Sequence, residues 1–542
     1  MTEKPFAITL DVATSLTNRT GAWRTERPFY IELMPPCNDA CPAGQNIQRW
    51  LYDAESGDYE PSWRQIMADN PLPAVMGRIC YHPCETACNR GRLDESVGIH
   101  SVERFLGDEA IKQGWTIPLE ATPSGKRVLV VGSGPCGLSA AYHLRRLGHE
   151  VVLADAEADL GGMMRYGIPQ YRLPRDVLDA EIARIVDLGV TVRTSCRIDD
   201  LDAAARAEGA DAVLLAIGAQ VGRHADIPAG DSARIIDALA LLHQTNATDS
   251  PPQIGRRVVV YGGGNTAMDA ARTAKRLGAT DSVIVYRRDR EHMPAHDEDL
   301  EAALAEGVQL RWLSTISAAD EGRITVEKMR LDESGFPQPT GELEHLDADT
   351  VVLALGQQVD LGLLDNLEGV ETDDGVVVVG PDQMTGHAGV FAGGDMTAGA
   401  RTATTAVGHG KNAARRIDAW LRGTNYVHTP ATPIATAERL NTWYYSDAPA
   451  AVQPQLEAAR RASSFDEIAK GLDEGTALFE ARRCLSCGNC FGCDNCYGVC
   501  PDNAVIKLGD GSYEFDLDHC KGCGLCAAEC PCGAIEMGPD AS

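Results

Sequence analysis

RVLVVGSGPCGLSAAYHLRRLGHEVVLADA, residues 127–156, decides the fold. A run of Val and Leu enters a glycine turn, an alanine-rich helical stretch follows, and a second apolar strand ends at Asp155. The pattern is one strand–turn–helix–strand unit of a parallel α/β sheet. Gly132 suits the tight turn, Gly134 lets the backbone approach a pyrophosphate, and Gly137 lets the helix lie close on the strand. The helix start then faces the phosphates, and Asp155 can take a pair of ribose hydroxyls. A lone G-x-G-x-x-G is a weak signal; here strand, helix and acid all fall where a dinucleotide site needs them.

About 130 residues on, the unit recurs as RVVVYGGGNTAMDAARTAKRLGATDSVIVYRRDR, residues 257–290. Gly262, Gly264 and Ala267 form the G-x-G-x-x-A variant, with Asn265 and Thr266 at the helix start. Arg287, Arg288 and Arg290 stand where the first unit has its acid. Guanidinium groups pair with phosphate, so a 2′-phosphate suits this turn better than a free ribose, and the expectation is NADPH over NADH. The alternative is a solvated basic turn. Two such sites suggest one bound flavin and one exchangeable nicotinamide. TGHAGVFAGGDMTAG, residues 385–399, supports this: a strand ends at Gly394-Asp395 before a helical stretch over 404–414. The acid can bind a ribityl chain, and the helix start can face a flavin ring.

The chain has 542 residues, enough for three or four domains, and a formal net charge of −29. Such acidity argues against nucleic acid or an anionic membrane as the main partner and suits docking of a basic one. No apolar run reaches the roughly 18 residues of a membrane helix, and MTEKPFAITLDV lacks the form of a signal peptide, so the expectation is a cytoplasmic protein.

Of 18 cysteines, eleven lie between Cys484 and Cys532 and five between Cys37 and Cys88, leaving Cys136 and Cys196. Bunched at gaps of two and three residues, they read as cluster ligands rather than disulfides. Cys490, Cys493, Cys496 and Cys500-Pro501 follow C-x2-C-x2-C-x3-C-P, and the run repeats as Cys520, Cys523, Cys526 and Cys530-Pro531. In this spacing three thiolates hold one cubane while the fourth ligates the other. One 4Fe-4S cluster is therefore expected on Cys490, Cys493, Cys496 and Cys530, the second on Cys520, Cys523, Cys526 and Cys500. Structural zinc does not call for two fused runs of this kind. Cys484, Cys487 and Cys532 take no assignment; a shifted register using them stays open, at the loss of a Cys-Pro match. The segment resembles a bacterial two-cluster ferredoxin.

From Cys37 to Gly423 the chain resembles the small subunit of bacterial glutamate synthase and the amino-terminal half of dihydropyrimidine dehydrogenase. The residues that carry this are GSGPCGLSAAYHLRRLGHEV, GGMMRYGIPQYRLP (161–174), YGGGNTAMDAARTA, YRRDREHMPA and GVFAGGD. The resemblance implies a helical amino-terminal iron–sulfur domain, then an FAD domain interrupted by an NADPH domain. It also implies that Gly162, Met163 and Gly394-Asp395 line the flavin. Two departures matter. The family's amino-terminal domain carries cysteines for two clusters, but this one has five cysteines, and Met76 replaces one. By resemblance one cluster keeps Cys41, Cys80 and Cys84, with Glu103 as fourth ligand, and Cys37 and Cys88 are remnants. The second departure is the ferredoxin module after Arg483, with no barrel or amidotransferase domain for an organic substrate.

The expected layout is an α/β protein with two Rossmann-type domains. A helical iron–sulfur domain spans 1–123, FAD domain parts span 124–254 and 356–423, and the NAD(P)H domain spans 255–355. A linker over 424–483, helical from Leu456, leads to an α+β ferredoxin-like domain over 484–542. Three functions are compatible with it. The favoured one is an NADPH-oxidising input subunit that passes electrons through FAD and clusters to a larger catalytic subunit, in a hetero-oligomer. The others are a freestanding ferredoxin:NAD(P) oxidoreductase, bifurcating or not, and a non-catalytic iron–sulfur scaffold.

Overall fold

The computed structural model describes residues 19–540 apart from 224, 226, 230–233, 248–251, 366 and 427–431. The opening segment MTEKPFAITLDV and Pro430 of the expected linker lie outside the described residues.

Two five-stranded parallel sheets form the middle. In the first, Val390–Ala392, Ala212–Leu215, Arg127–Val131, Glu150–Ala154 and Thr191–Arg193 lie side by side in that order. Its central strands are buried on both faces, which is why they read as unbroken Val and Leu rather than as an alternation. The last strand in sequence returns beside Ala212–Leu215, so the sheet is assembled from both sides of the second domain. That domain orders Gln309–Arg311, Asp281–Val285, Arg257–Tyr261, Thr350–Leu353 and Ile235–Asp237. Its edge strand Ile235–Asp237 precedes residue 255, the expected start of the domain. Val221–Gly222 and Gln357–Gln358 pair antiparallel where the chain leaves the first domain and re-enters it. An antiparallel meander, Ser314–Asp320, Arg323–Leu331 and Pro337–Asp347, is added to the second domain.

The amino-terminal domain is helical. Ile47–Glu55, Tyr59–Met67, Pro73–Ile79 and Ile99–Gln113 surround the buried Trp50, Trp63, Ile66 and Leu106. Helices Pro73–Ile79 and Ile99–Gln113 cross at backbone contact. A Cβ on Gly77 would lie 2.5 Å from the Arg104 amide, and one on Gly107 2.3 Å from that of Ala74. This crossing brings Glu103 to the Cys80 end of the shorter helix.

The ends of the chain are joined. Glu26–Tyr30 pairs antiparallel with Ile535–Pro539, and the Tyr30 ring stacks on Phe515 at 4.8 Å. Leu33 N donates to Gly488 O at 3.1 Å, and the Asn489 side chain donates to Leu33 O at 3.0 Å. The expected linker differs from its sequence reading. After one helical turn, Ala458–Arg461, the chain folds back so that Leu456 N donates to Ile468 O at 2.9 Å. Only Glu474–Ala481 then forms a longer helix, capped by Asp473 and packed on Ile47–Glu55 and Ile99–Gln113. Among the described residues no helix is long and apolar enough to cross a membrane.

Candidate functional site

The first glycine turn opens onto a cavity lined by Gly132, Gly134, Asp155, Gly162, Met163, Gly394 and Asp395. Gly132 has φ +101°, and a Cβ there would meet Ala216 O at 2.4 Å; one on Gly137 would meet Gly132 O at 1.9 Å. Gly134 has open space on its Cβ side, as backbone awaiting a phosphate needs. The Asp155 carboxylate braces the turn. Its Oδ2 accepts from Ser133 N at 2.6 Å and Ser133 Oγ at 2.5 Å, and its Oδ1 accepts from Glu157 N at 2.9 Å. Gly162 backs onto Gly134, where a Cβ would lie 2.8 Å from the Gly134 Cα. Asp395 makes no hydrogen bond through its carboxylate among the described residues; burial raises its pKa while Arg401 opposes. His409, which sequence reasoning missed, holds this turn by accepting from Gly394 N at 3.1 Å. The helix Ala403–Leu421 aims its start at the same cavity, and its Thr402 cap accepts from Thr405 N.

A second cavity adjoins the first, the two sharing Leu239, Thr266, Gly356 and Gln357. Gly262, Gly263 and Gly264 line it opposite Arg287 and Arg288, while Asn265 lines the first cavity. Ala267, fully buried, packs the helix on its strand. The three arginines of the YRRDR segment part company here. Arg290 is held by Glu301 at 2.6 Å, whereas Arg287 and Arg288 have no carboxylate partner among the described residues. The buried Nε of Arg288 has no hydrogen-bond partner among the described residues. An unpaired guanidinium nitrogen beside a phosphate-type glycine turn fits an absent anionic group. Arg172 ties the two domains together, bonding Asp269 at 2.8 Å and Asp299 at 3.4 Å.

Glu85, Cys41, Cys80 and Glu103 are all charged-group neighbours of Cys84, which places the three thiols and Glu103 in one neighbourhood. Glu103 is 5% exposed; its Oε1 accepts from Gln45 at 2.7 Å and Asn70 at 2.8 Å, and burial pushes its pKa up to about 7. Met76 lies buried with its sulfur 3.5 Å from Thr404 Oγ1. Thr404 also neighbours Cys80, and Ile79 and Tyr81 on either side of Cys80 line the first cavity. This thiol group therefore abuts the flavin-type cavity. Cys37 and Cys88 point elsewhere, to a small apolar pocket where they meet Cys484 and Cys487. The expectation that Cys37 and Cys88 are remnants meets a pocket that they share with two carboxyl-terminal cysteines.

In the ferredoxin-like segment Cys496 has Cys490, Cys493 and Cys530 as neighbours. Cys526 has Cys520, Cys500 and Cys523, and these four line one pocket. Among the described residues no three thiols lie within 4.8 Å of one another.

Similarity to known proteins follows the same division. The family described as pyridine nucleotide-disulphide oxidoreductase matches residues 126–410. Dihydropyrimidine dehydrogenase domain II, 4Fe-4S cluster, matches 11–115, and the 4Fe-4S dicluster domain matches 489–534. The NADP(+)-dependent formate dehydrogenase subunit beta of Moorella thermoacetica is 36% identical over 512 residues, covering 86% of this chain and 72% of that one. The NADPH-Fe(3+) oxidoreductase subunit beta of Geobacter sulfurreducens is 32% identical, covering 85% and 76%. The small chain of glutamate synthase [NADPH] from Azospirillum brasilense is 33% identical, covering 72% and 87%. The chain belongs to the pyridine nucleotide-disulphide oxidoreductases, with the family's nucleotide-binding domains set between two iron–sulfur domains.

Proposed function

We propose that the chain is the electron-input subunit of a larger reductase or dehydrogenase, taking electrons from NADPH through FAD to 4Fe-4S clusters and on to a partner catalytic subunit. One observation carries this: the second-turn cavity shares lining residues with the first, and Ile79 and Tyr81, on either side of Cys80, also line the first. Donor, flavin and first cluster thus have contiguous places. Bound flavin supplies the conversion of a hydride pair into single electrons. The chain's own groups hold and orient. The amides of the first turn face the pyrophosphate, with Gly162 and Met163 beside it, and Asp155 shares its ribose. Asp395 and the start of the helix Ala403–Leu421 take the ribityl and ring end. Gly262, Gly264, Asn265, Thr266 and Ala267 shape the NADPH turn, and Arg287 and Arg288 take its 2′-phosphate.

Cys41, Cys80, Cys84 and Glu103 hold the amino-terminal cluster. The two carboxyl-terminal clusters sit on Cys490, Cys493, Cys496 and Cys530, and on Cys500, Cys520, Cys523 and Cys526. The domain limits follow the cofactors, with the second domain starting by Ile235. The matched relatives named as beta subunits or small chains support a hetero-oligomer. Anaerobic purification from the native cells, with NADPH added to the product, tests this. A stoichiometric large subunit and bleaching of flavin absorbance are expected. Elution alone with ferredoxin moves the freestanding oxidoreductase ahead, and an unbleached flavin ends both.

A further inference from the structure

The four cysteines of the small apolar pocket come from three places in the chain. Cys37 opens the short helix Pro36–Ala40, Cys88 follows the turn Pro83–Thr86, and Cys484 and Cys487 form a C-x2-C pair nearly 400 residues later. Each amino-terminal segment carries a second cysteine four residues away, Cys41 and Cys84, which belongs to the Glu103 group. The two segments therefore present one thiol to each of two sites set back to back.

What holds the distant segments together is a buried ionic clamp. Arg483, next to Cys484 and 2% exposed, donates to Glu95 O at 2.6 Å, Ser96 O at 2.9 Å and Ala448 O at 3.1 Å, and pairs with Asp94 and Glu480. Arg90, two residues after Cys88 and 3% exposed, binds Asp94 at 2.7 Å and donates to Arg483 O at 3.1 Å. Buried ion pairs are costly to desolvate and are poor value as mere core filling. These fix the Cys88 loop against Cys484, with the two guanidiniums balanced by the carboxylates of Asp94 and Glu480.

Free thiols that merely fill a core would need no such ionic clamp.

We propose that Cys37, Cys88, Cys484 and Cys487 hold a further 4Fe-4S cluster whose ligands come from both ends of the chain. Its position makes it the link between the amino-terminal cluster and the ferredoxin-like segment. On one side it shares the two Cys-bearing segments with the Glu103 group. On the other, Gly488 N donates to Cys532 O at 2.6 Å, and Cys532 Sγ lies 3.7 Å from Cys530 Sγ. One electron at a time enters from the amino-terminal side and leaves to the ferredoxin side, with no bond made or broken and no proton moved. That role rests on the proposed function; the site itself does not.

The test is iron and acid-labile sulfide on the full chain purified anaerobically, with electron paramagnetic resonance after dithionite reduction. Four clusters give about 16 irons per chain, and Cys484→Ser/Cys487→Ser is expected to hold about 12 with one reduced-cluster signal missing. Cys37→Ser must lose the same signal, and Cys196→Ser must lose none. If the double variant does not fold, the wild-type count together with Cys37→Ser decides. About 12 irons in the wild type with unchanged spectra in the variants, or zinc at the four thiols, overturns the proposal. A wild type with about 16 irons that NADPH fails to bleach keeps this site and removes the proposed function.

Discussion

The nucleotide-binding middle and the iron–sulfur ends of this chain are specified in opposite ways. In the middle the phosphate-facing part of each site is written within some thirty residues: strand, glycine turn, helix, and the acid or arginines at the next strand end. At the ends a site is written across the whole chain. Cys37 meets Cys484, Glu26–Tyr30 pairs with Ile535–Pro539, and Arg90 and Arg483 share Asp94. The comparison teaches that the middle tolerates domain insertion, because its determinants travel together. The ends cannot be parted, because the ligands of the proposed shared cluster are divided between them.

The largest expected effect tests the local side. Gly137→Val places a side chain where even a Cβ would stand 1.9 Å from Gly132 O, against backbone that cannot yield. The purified variant is expected to carry no flavin while keeping the iron of its carboxyl-terminal segment. Loss of iron from that segment in parallel with flavin would break the division.

Arg483→Met tests the distributed side. It removes one partner from a buried network and leaves Asp94 and Glu480 short of charge, a change that costs about 3–5 kcal/mol. Local opening should then speed amide exchange around Ser96 and Cys484 by roughly 100-fold or more, with iron lost and flavin retained. Unchanged exchange there would mean that the strand pairing of Glu26–Tyr30 alone holds the ends together.

How much of this was legible follows the same line. The two glycine turns, Asp155 and the cysteine repeat of the ferredoxin-like segment could be read directly, because each lies within a short run of sequence, and the GGD turn could be read once those neighbours were in place. Ile235–Asp237 escaped notice because three residues are too few to carry a period, and its place in the second sheet depends on Thr350–Leu353. The stretch after Leu456 looked helical by composition, yet Ser463 and Ser464 end the turn and Leu456 bonds Ile468 instead. For Cys484 and Cys487 the C-x2-C spacing was visible, but their partners lie at the other end of the chain. Buried Arg483 beside Cys484 was the available hint, since a guanidinium enters a core only where acceptors await it.

The smallest effect sharpens the one difference between the two local sites. Asp155 accepts from Ser133 and Glu157, whereas Arg287 and Arg288 face the second cavity without acidic partners and Arg288 Nε is unbonded. A 2′-phosphate would complete both guanidiniums, and each charge-assisted contact is worth about 1.5–3 kcal/mol. Arg287→Ala/Arg288→Ala should therefore raise the NADPH dissociation constant by about 100-fold or more and leave that of NADH nearly unchanged, measured by flavin bleaching at graded coenzyme. Glu at both positions should go further, because it repels the phosphate. An equal loss for both coenzymes would mean that the arginines shape the turn and do not read the phosphate. Their unpaired state would then be a cost of local folding rather than a place kept for an anion.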